Sequence, residues 1–501
     1  MSDFTQLVDL AGERLGGRVV LANDEFFAPK ENLLKAAKPV YIEGKYTEFG
    51  KWMDGWETRR RRTPGYDWCI VQLGAPGILR GVVVDTSFFK GNFPEYCSIE
   101  ACGLDGSPDV SQLASMDEIW TEVLPKSKLE GDTQNRFSIS DPHRYTHLRF
   151  KIYPDGGIAR LRVHGEAVPD WKQVLAAGKQ PDLIAVHHGG RIVSSSDMFF
   201  SSPQNLILPG PALNMGEGWE TRRRRGPGHD WVIIRLGIRG VIQNLELSTA
   251  FFKGNFPESC SLEACDTEND EALASCKWIE VLPRTSLKPD AAHRFPVVSS
   301  RPATHIRLNI FPDGGVSRLR VYGVPEAEAI AQQNLRLLNA QPDAQAKAAL
   351  LSCCGSAAWV AEMLLSRPFA SPSELRETAN RVWSGLGKQE WLAAFQHHPR
   401  IGEKRAAAAA QPDQAQRWSE QEQSAVTDAP AQALAQLAAA NDAYVERFGY
   451  IFIVCASGKS GDEMLALLRR RLQNDPETEL RIAAEEQRKI TQLRLAKLLG
   501  I

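Results

Sequence analysis

Apolar and polar positions alternate in short runs through the first two thirds of the chain, then recur at three- and four-residue intervals to its end. HLRFKIY within the run from Thr146 and GVVVDTSFF from Gly81 have the period of two that places successive side chains on opposite faces of a strand, and PDGG, PG and GN signals break such runs into short strands. Many short strands of this kind predict a sandwich or jelly roll. After Gly323 the texture changes to Ala, Leu and Gln, and SPSELRETANRVWSGL from Ser371 and SGDEMLALLRRRLQND from Ser460 predict amphipathic helices, each with a serine placed to cap its start. The alanine run at 406–410 reads as a helix or a loose connection.

The β-patterned part repeats itself. Residues 55–102 align with 218–265 at a constant shift of 163 with 30 identities in 48 positions. GRVVLANDEFFAPKENLL from Gly17 has its counterpart from Gly190, and THLRFKIYPDGGIARLRVHG from Thr146 has one from Thr304. The expected architecture is therefore multidomain: two all-β jelly-roll or sandwich repeats over 1–166 and 167–325, a linker over 326–332, and an all-α helical domain over 333–501. A length of 501 residues agrees with about three domains.

Charge and cysteine content exclude several classes. Lys plus Arg number 59 against 61 Asp plus Glu, so no overall field draws nucleic acid or an anionic membrane. The start of the chain has no leader pattern, and no apolar run approaches the ~20 residues of a membrane span, which predicts a cytoplasmic protein. The nine cysteines include no CxxC, and Cys97 and Cys102 fall on opposite faces of one strand, so buried thiols are expected.

The repeated GWETRRRR at Gly55 and Gly218 is the first candidate for chemistry. On a strand at most two of Arg59 to Arg62, or of Arg222 to Arg225, face one site, and the others meet solvent or carboxylates. Closure of the sandwich end is one reading of the loop. The other is binding of a small organic anion: Arg59, Arg61, Arg222 and Arg224 grip a carboxylate, and acidic neighbours accept from amide-like N–H groups. Glu57, Asp67, Glu220, Asp230 and His229 are the candidate acids and bases. FFKGNFPE, at Phe88 and again at Phe251, adds Lys90, Asn92, Lys253 and Asn255 as binding candidates, with Phe88, Phe89, Phe251 and Phe252 expected in the core. His147 and His305 stand at equivalent strand positions outside any spaced ligand cluster and read as structural, while a divalent metal in place of the base stays open.

These motifs, with the paired PDGG(I/V)(A/S)RLRV(H/Y)G, resemble allantoicase, which hydrolyses allantoate to ureidoglycolate and urea; the resemblance covers 1–325 and implies two jelly-roll domains. In the helical part RPF at Arg367, HPRIG at His398, SxxEQ at Ser419, RFGYIFIVCASGKS at Arg447 and KITQLRL at Lys489 resemble the decarboxylases of 2-oxo-4-hydroxy-4-carboxy-5-ureidoimidazoline (OHCU). That resemblance implies His398 as acid/base, Glu422 as its polar partner, Arg494 as anchor for the substrate anion, and Ser419, Gln423 and the segment Ile451, Phe452 and Ile453 around the heterocycle. It also implies cofactor-free decarboxylation to (S)-allantoin, with a histidine of near-neutral pKa delivering the proton. From the residues alone, Ser419 and Glu422 equally have the spacing of a capping box that starts a helix. The expectation is a bifunctional enzyme of small-molecule substrates, with a homo-oligomer left open by the sequence; the alternative is that the repeats are a ligand-binding or assembly module and only the helical domain is an enzyme.

Overall fold

The computed structural model describes residues 3–104, 106, 108–297, 301–398, 413–422, 431–456 and 458–501; the alanine run at 406–410 and Gln423 fall outside the described residues. The chain divides into two compact units, Met1–Ala329 and Ile330–Ile501.

Each repeat of the first unit is organised by one 19-residue strand. In the first, β1 (Arg18–Ala22), β2 (Asp67–Asp85), β3 (Tyr96–Cys102), β4 (Thr121–Lys128), β5 (Gln134–Ser138), β6 (Arg144–Tyr153) and β7 (Arg160–Ala167) form one antiparallel system around β2. The first half of β2 pairs with β6 and β1, and its second half pairs with β7 and β5. One strand therefore serves both layers of the sandwich, and it changes layer at GAPG, Gly74 to Gly77. A Cβ on Gly77 would sit 2.3 Å from the Glu166 carbonyl oxygen, so the corner has room for glycine alone.

The second repeat is built the same way from β8 (Arg191–Ser195), β9 (Asp230–Ser248), β10 (Ser259–Cys265), β11 (Ile279–Ser286), β12 (Ala292–Pro296), β13 (Pro302–Phe311) and β14 (Arg318–Pro325). Its long strand pairs with β8 and β13 before the corner and with β12 and β14 after it. Trp56 and Trp219 are fully buried at equivalent positions, and each indole N–H donates at 2.8 Å to a backbone carbonyl, of Asp24 and Asp197 respectively. Seven of the nine cysteines are buried and none is in a disulfide, in line with the expected thiols.

The expected linker at 326–332 is almost entirely helix, because α1 spans Ala327–Ala340: a strand ending at Pro325 passes directly into alanine-rich sequence with nothing to stop helix formation. The described helices continue with α2 (Asp343–Cys353), α3 (Ala357–Leu365), α4 (Pro372–Gly385), α5 (Lys388–Phe395), α6 (Asp413–Glu422), α7 (Ala431–Phe448), α8 (Gly461–Arg471) and α9 (Pro476–Leu499). The two serine caps form as expected: Ser371 accepts from the Glu374 amide, and Ser460 makes a reciprocal capping box with Glu463. Among the described residues no helix is long and apolar enough to cross a membrane.

A buried ionic knot holds the end of this unit together. Glu479 accepts from Arg471 Nε at 2.8 Å, from Asn474 at 2.7 Å and from the Tyr444 hydroxyl, and Arg471 Nη1 donates at 2.8 Å to the Ile453 carbonyl oxygen. Glu486 accepts from the Cys455 amide at 2.8 Å, so the extended segment 451–456 is fixed from α8 and α9. Removing one partner strands the other charge in the interior. Glu479→Ala is expected to destabilise the helical unit by about 3–5 kcal/mol. Hydrogen exchange should then show lost protection across α7 to α9 with unchanged protection in the β-strands.

Candidate active sites

The arginine runs do not lie on strands. Residues 58–66 and 221–229 are irregular loops, so the alternation expected for Arg59 to Arg62 does not apply. In the first repeat the Thr58 amide donates to the Gly156 carbonyl at 3.2 Å, the Arg61 amide donates to Asp155 at 2.8 Å, and Gly157 donates to the Asn92 carbonyl at 2.8 Å. The Asn92 side chain reaches Glu57 at 2.7 Å. The second repeat reproduces this cluster through Thr221–Gly314, Arg224–Asp313, Gly315–Asn255 and Asn255–Glu220. Three motifs far apart in sequence are thus one knot closing the sandwich end, which explains why both copies retain them together.

That knot redirects several of the expected site residues. Arg61 and Arg224 are ion-paired at 2.7 and 2.5 Å to Asp67 and Asp230. Those aspartates are 2% and 1% exposed, which closes them to a substrate and leaves them as loop anchors. Arg59 pairs with Asp24 at 2.6 Å and lies over Phe26, and Arg222 lies over Phe199. Lys90 and Lys253 are exposed, the former 3.8 Å from Asp132. Phe89 and Phe252 are core residues as expected, but Phe88 and Phe251 are 39% and 40% exposed and adopt φ of 71° and 69°, a turn conformation that points them outward. Glu57 and Glu220 remain accessible beside their asparagines, and burial raises the Glu57 carboxyl above its ordinary range while Asn92 partly offsets this. His147 and His305 are buried and bonded to Thr146 and Thr304, which fits the structural reading.

A second place for chemistry lies on the sheet face just past the loop. In the second repeat His229, Trp231, Ser261, Glu263, Glu280, Arg307 and Asn309 line an open cleft of ≈ 360 Å³. Arg307 and Asn309 both donate to Glu263 Oε2, at 2.7 and 2.9 Å, and Asn309 meets His229 Nε2 at 3.2 Å. The Arg307 hydrogen bond, with smaller help from Asn309, holds the Glu263 carboxyl below its ordinary range. The first repeat carries Trp68, Ser98, Glu100, Glu122 and Arg149 at the matching positions but has Tyr66 for His229 and Lys151 for Asn309. There Lys151 is bonded to Glu100 at 2.5 Å and sits 5.0 Å from the Tyr66 ring centre. Of this set His229 alone stands out in the sequence; the signal for the others is a polar strand face retained in both copies. Among the described residues no three His, Cys, Asp or Glu side chains group as a metal-binding set.

In the helical unit the third cluster forms around α9. Among the apolar side chains of its buried stripe, Glu479, Gln487, Thr491 and Arg494 are four polar ones that sit where apolar ones are the rule. Arg494 Nη2 donates to Ser419 Oγ at 2.8 Å and to Glu422 Oε2 at 3.0 Å, and Lys497 pairs with Glu422 at 2.9 Å. Two cations around one carboxylate leave an excess positive charge. Ser419 is inside α6, bonded back to the Ala415 carbonyl, and Glu422 lies in the same helix, so the pair does not start one. Glu422 is thereby a partner of Arg494 and Lys497. His398 follows α5 in a bend with its amide on the Phe395 carbonyl, while Phe452 and Ile453 are buried and Ile451 partly so. Gln423 lies outside the described residues. Burial, with the Arg494 charge second and Gln487 in partial opposition, pushes the His398 imidazole down to about 3. The near-neutral value expected from the sequence is not found; burial and Arg494 hold the ring neutral instead.

Comparisons with known proteins agree with this division. Residues 8–168 and 181–326 match the allantoicase repeat family, and 339–496 match the OHCU decarboxylase family. A Pseudomonas aeruginosa protein named "Probable allantoicase" is 48% identical over 330 residues, covering 64% of this chain and 97% of its own. The crystal structure of allantoicase from Saccharomyces cerevisiae is 36% identical with a TM-score of 0.55, over 63% of this chain and 93% of that one. A crystal structure of OHCU decarboxylase in the presence of (S)-allantoin is 39% identical over 30% of this chain and 96% of its own, with a TM-score of 0.26.

The depressed His398 pKa gives a direct test. Because the folded value lies below the unfolded one near 6.5, the neutral ring favours the fold fully above that pH and the benefit is lost as pH falls toward about 3. Imidazole NMR of the substrate-free chain is expected to show His398 neutral throughout pH 5–8, and Arg494→Gln should raise its midpoint.

Proposed function

The chain belongs to the allantoicase family over its two β-repeats and carries an OHCU decarboxylase domain after them, and from that premise we propose how its residues share two reactions of ureide catabolism. The β-unit hydrolyses allantoate to ureidoglycolate and urea; the helical unit decarboxylates OHCU to (S)-allantoin. The reading of the repeats as a mere binding module loses to the match over nearly the whole length of an allantoicase relative.

For the decarboxylase the supporting observation is the convergence of Arg494 and Lys497 on Glu422, with Ser419 also accepting from Arg494, together with the effect of the Arg494 charge on His398. The net positive charge binds the substrate carboxylate. An anion placed there offsets the Arg494 charge, which after burial is the second cause of the lowered imidazole, and so favours the protonated ring from which His398 works. Breaking the C–C bond releases CO2 and leaves its electron pair spread into the ring. His398 then returns its proton to carbon on one face, which sets the handedness of allantoin. The amide and carbonyl groups of 451–453, fixed by Arg471 and Glu486, hold the heterocycle, and no cofactor takes part.

A cytoplasmic location fits nine cysteines held as thiols without a disulfide. Self-association fits the exposed Met198, Phe199 and Phe200, at 62, 59 and 61%.

His398→Gln is expected to lower kcat for OHCU decarboxylation by about 10²–10⁴-fold and to leave urea release from allantoate unchanged, measured on the same full-length preparation. Loss of both activities together would contradict the division of labour.

A further inference from the structure

The two repeats offer the same cleft in two states. Trp, Ser, two Glu and Arg recur at matched positions, 68, 98, 100, 122 and 149 against 231, 261, 263, 280 and 307. The framework strands pair in the same register, with Lys151 opposite Ser98 and Asn309 opposite Ser261. Only the side chains at 66/229 and 151/309 change the chemistry. In the first repeat Lys151, 8% exposed, puts its ammonium on Glu100 and against the Tyr66 ring. In the second, Asn309 lines an open volume of ≈ 360 Å³, the size of a small-molecule site.

Hydrogen-bond logic orients the groups left there. Glu263 is kept ionised by Arg307, so it only accepts, and the Asn309 contact must come from the amide NH2. The same NH2 donates to Ser261 Oγ at 3.2 Å. The Asn309 oxygen therefore faces His229, whose Nε2 must carry the hydrogen in the neutral ring. Nδ1 is then left as a lone-pair acceptor. Phe311, 4.7 Å from the imidazole ring centre, backs the ring. Tyr66 and Lys151 place no imidazole at the equivalent positions of the first repeat.

We propose that the hydrolytic centre of the β-unit is this cleft of the second repeat alone, with His229 Nδ1 as its base, and that Lys151 closes the first repeat's equivalent. The inference rests on the allantoate reading above and locates it. Arg307 uses Nε and Nη2 on Glu263, which leaves Nη1 for the substrate carboxylate, and Glu280 accepts from a ureido N–H. A water oxygen bonds to the central carbon of allantoate as its proton passes to Nδ1. The C–N bond to one ureido arm breaks with its electron pair on nitrogen. That nitrogen takes the proton from His229 and departs as urea. One water is consumed and nothing is oxidised or reduced.

The test uses the full chain with urea release from allantoate as readout and OHCU decarboxylation as the internal measure of a folded preparation. The double change His229→Tyr with Asn309→Lys copies the first repeat, whose backbone already accommodates those side chains; it is expected to reduce urea release at least 100-fold with decarboxylation unchanged. His229→Gln should lower kcat by about 10²–10⁴-fold with KM within about threefold, and Lys151→Ala in the first repeat should leave urea release within twofold. Urea release persisting in both second-repeat variants, or lost on Lys151→Ala, overturns the inference while the allantoicase reading stands. A wild-type chain that decarboxylates OHCU but releases no urea overturns that reading, and this site with it.

Discussion

One strand in each repeat belongs to both layers of its sandwich, and the rest of the β-unit is arranged around that sharing. The strand can change layer only where a neighbouring carbonyl comes closer than a Cβ allows, as Glu166 does at Gly77. Its first residue, Asp67 or Asp230, anchors the arginine loop that closes the sandwich end. The residue just before it, Tyr66 or His229, is thereby delivered to the edge of the cleft. Rigid closure and chemical opportunity are consecutive positions of one segment.

Duplication then separates scaffold from function within a single chain. The loop knot is the same in both repeats down to its donor and acceptor pairs, because either sandwich opens at that end without it. The cleft diverged instead. A long cation satisfies Glu100 from within the first repeat, whereas a short amide in the second shares Glu263 with Arg307 and hands orientation on to a histidine. The helical unit uses a related device: polar side chains interrupt the apolar stripe of its last helix, and burial, reinforced by the Arg494 charge, keeps the nearby His398 neutral.

The repeat boundary, the change from β to α near residue 325 and the serine caps were all legible, because each depends on local periodicity or on one residue's hydrogen-bonding habit. The arginine run was misread as strand because four charged residues carry no periodic signal, and what shapes them is a turn nearly a hundred residues away, at Asp155. Phe88 looked like core next to Phe89, yet its positive φ, set by the hydrogen bond of its amide to Asp132, turns it outward. Alternation identifies the polar face of THLRFKIY but says nothing of what covers it; Arg149 and Lys151 are both 8% exposed because Glu100 reaches across from the adjacent strand. His398 shows the same limit, since its pKa depends on burial and on a charge 96 residues further along.

The most direct measurement is a crystal structure of the His229→Gln chain soaked in allantoate, where slow turnover lets the substrate accumulate. The account predicts one ordered allantoate in the second-repeat cleft, its carboxylate on Arg307 and a ureido arm at Glu280, with Lys151 still on Glu100 in the first repeat. Allantoate bound instead at the loop ends beside Glu57 and Asn92 or Glu220 and Asn255, or in both sheet clefts alike, would contradict it.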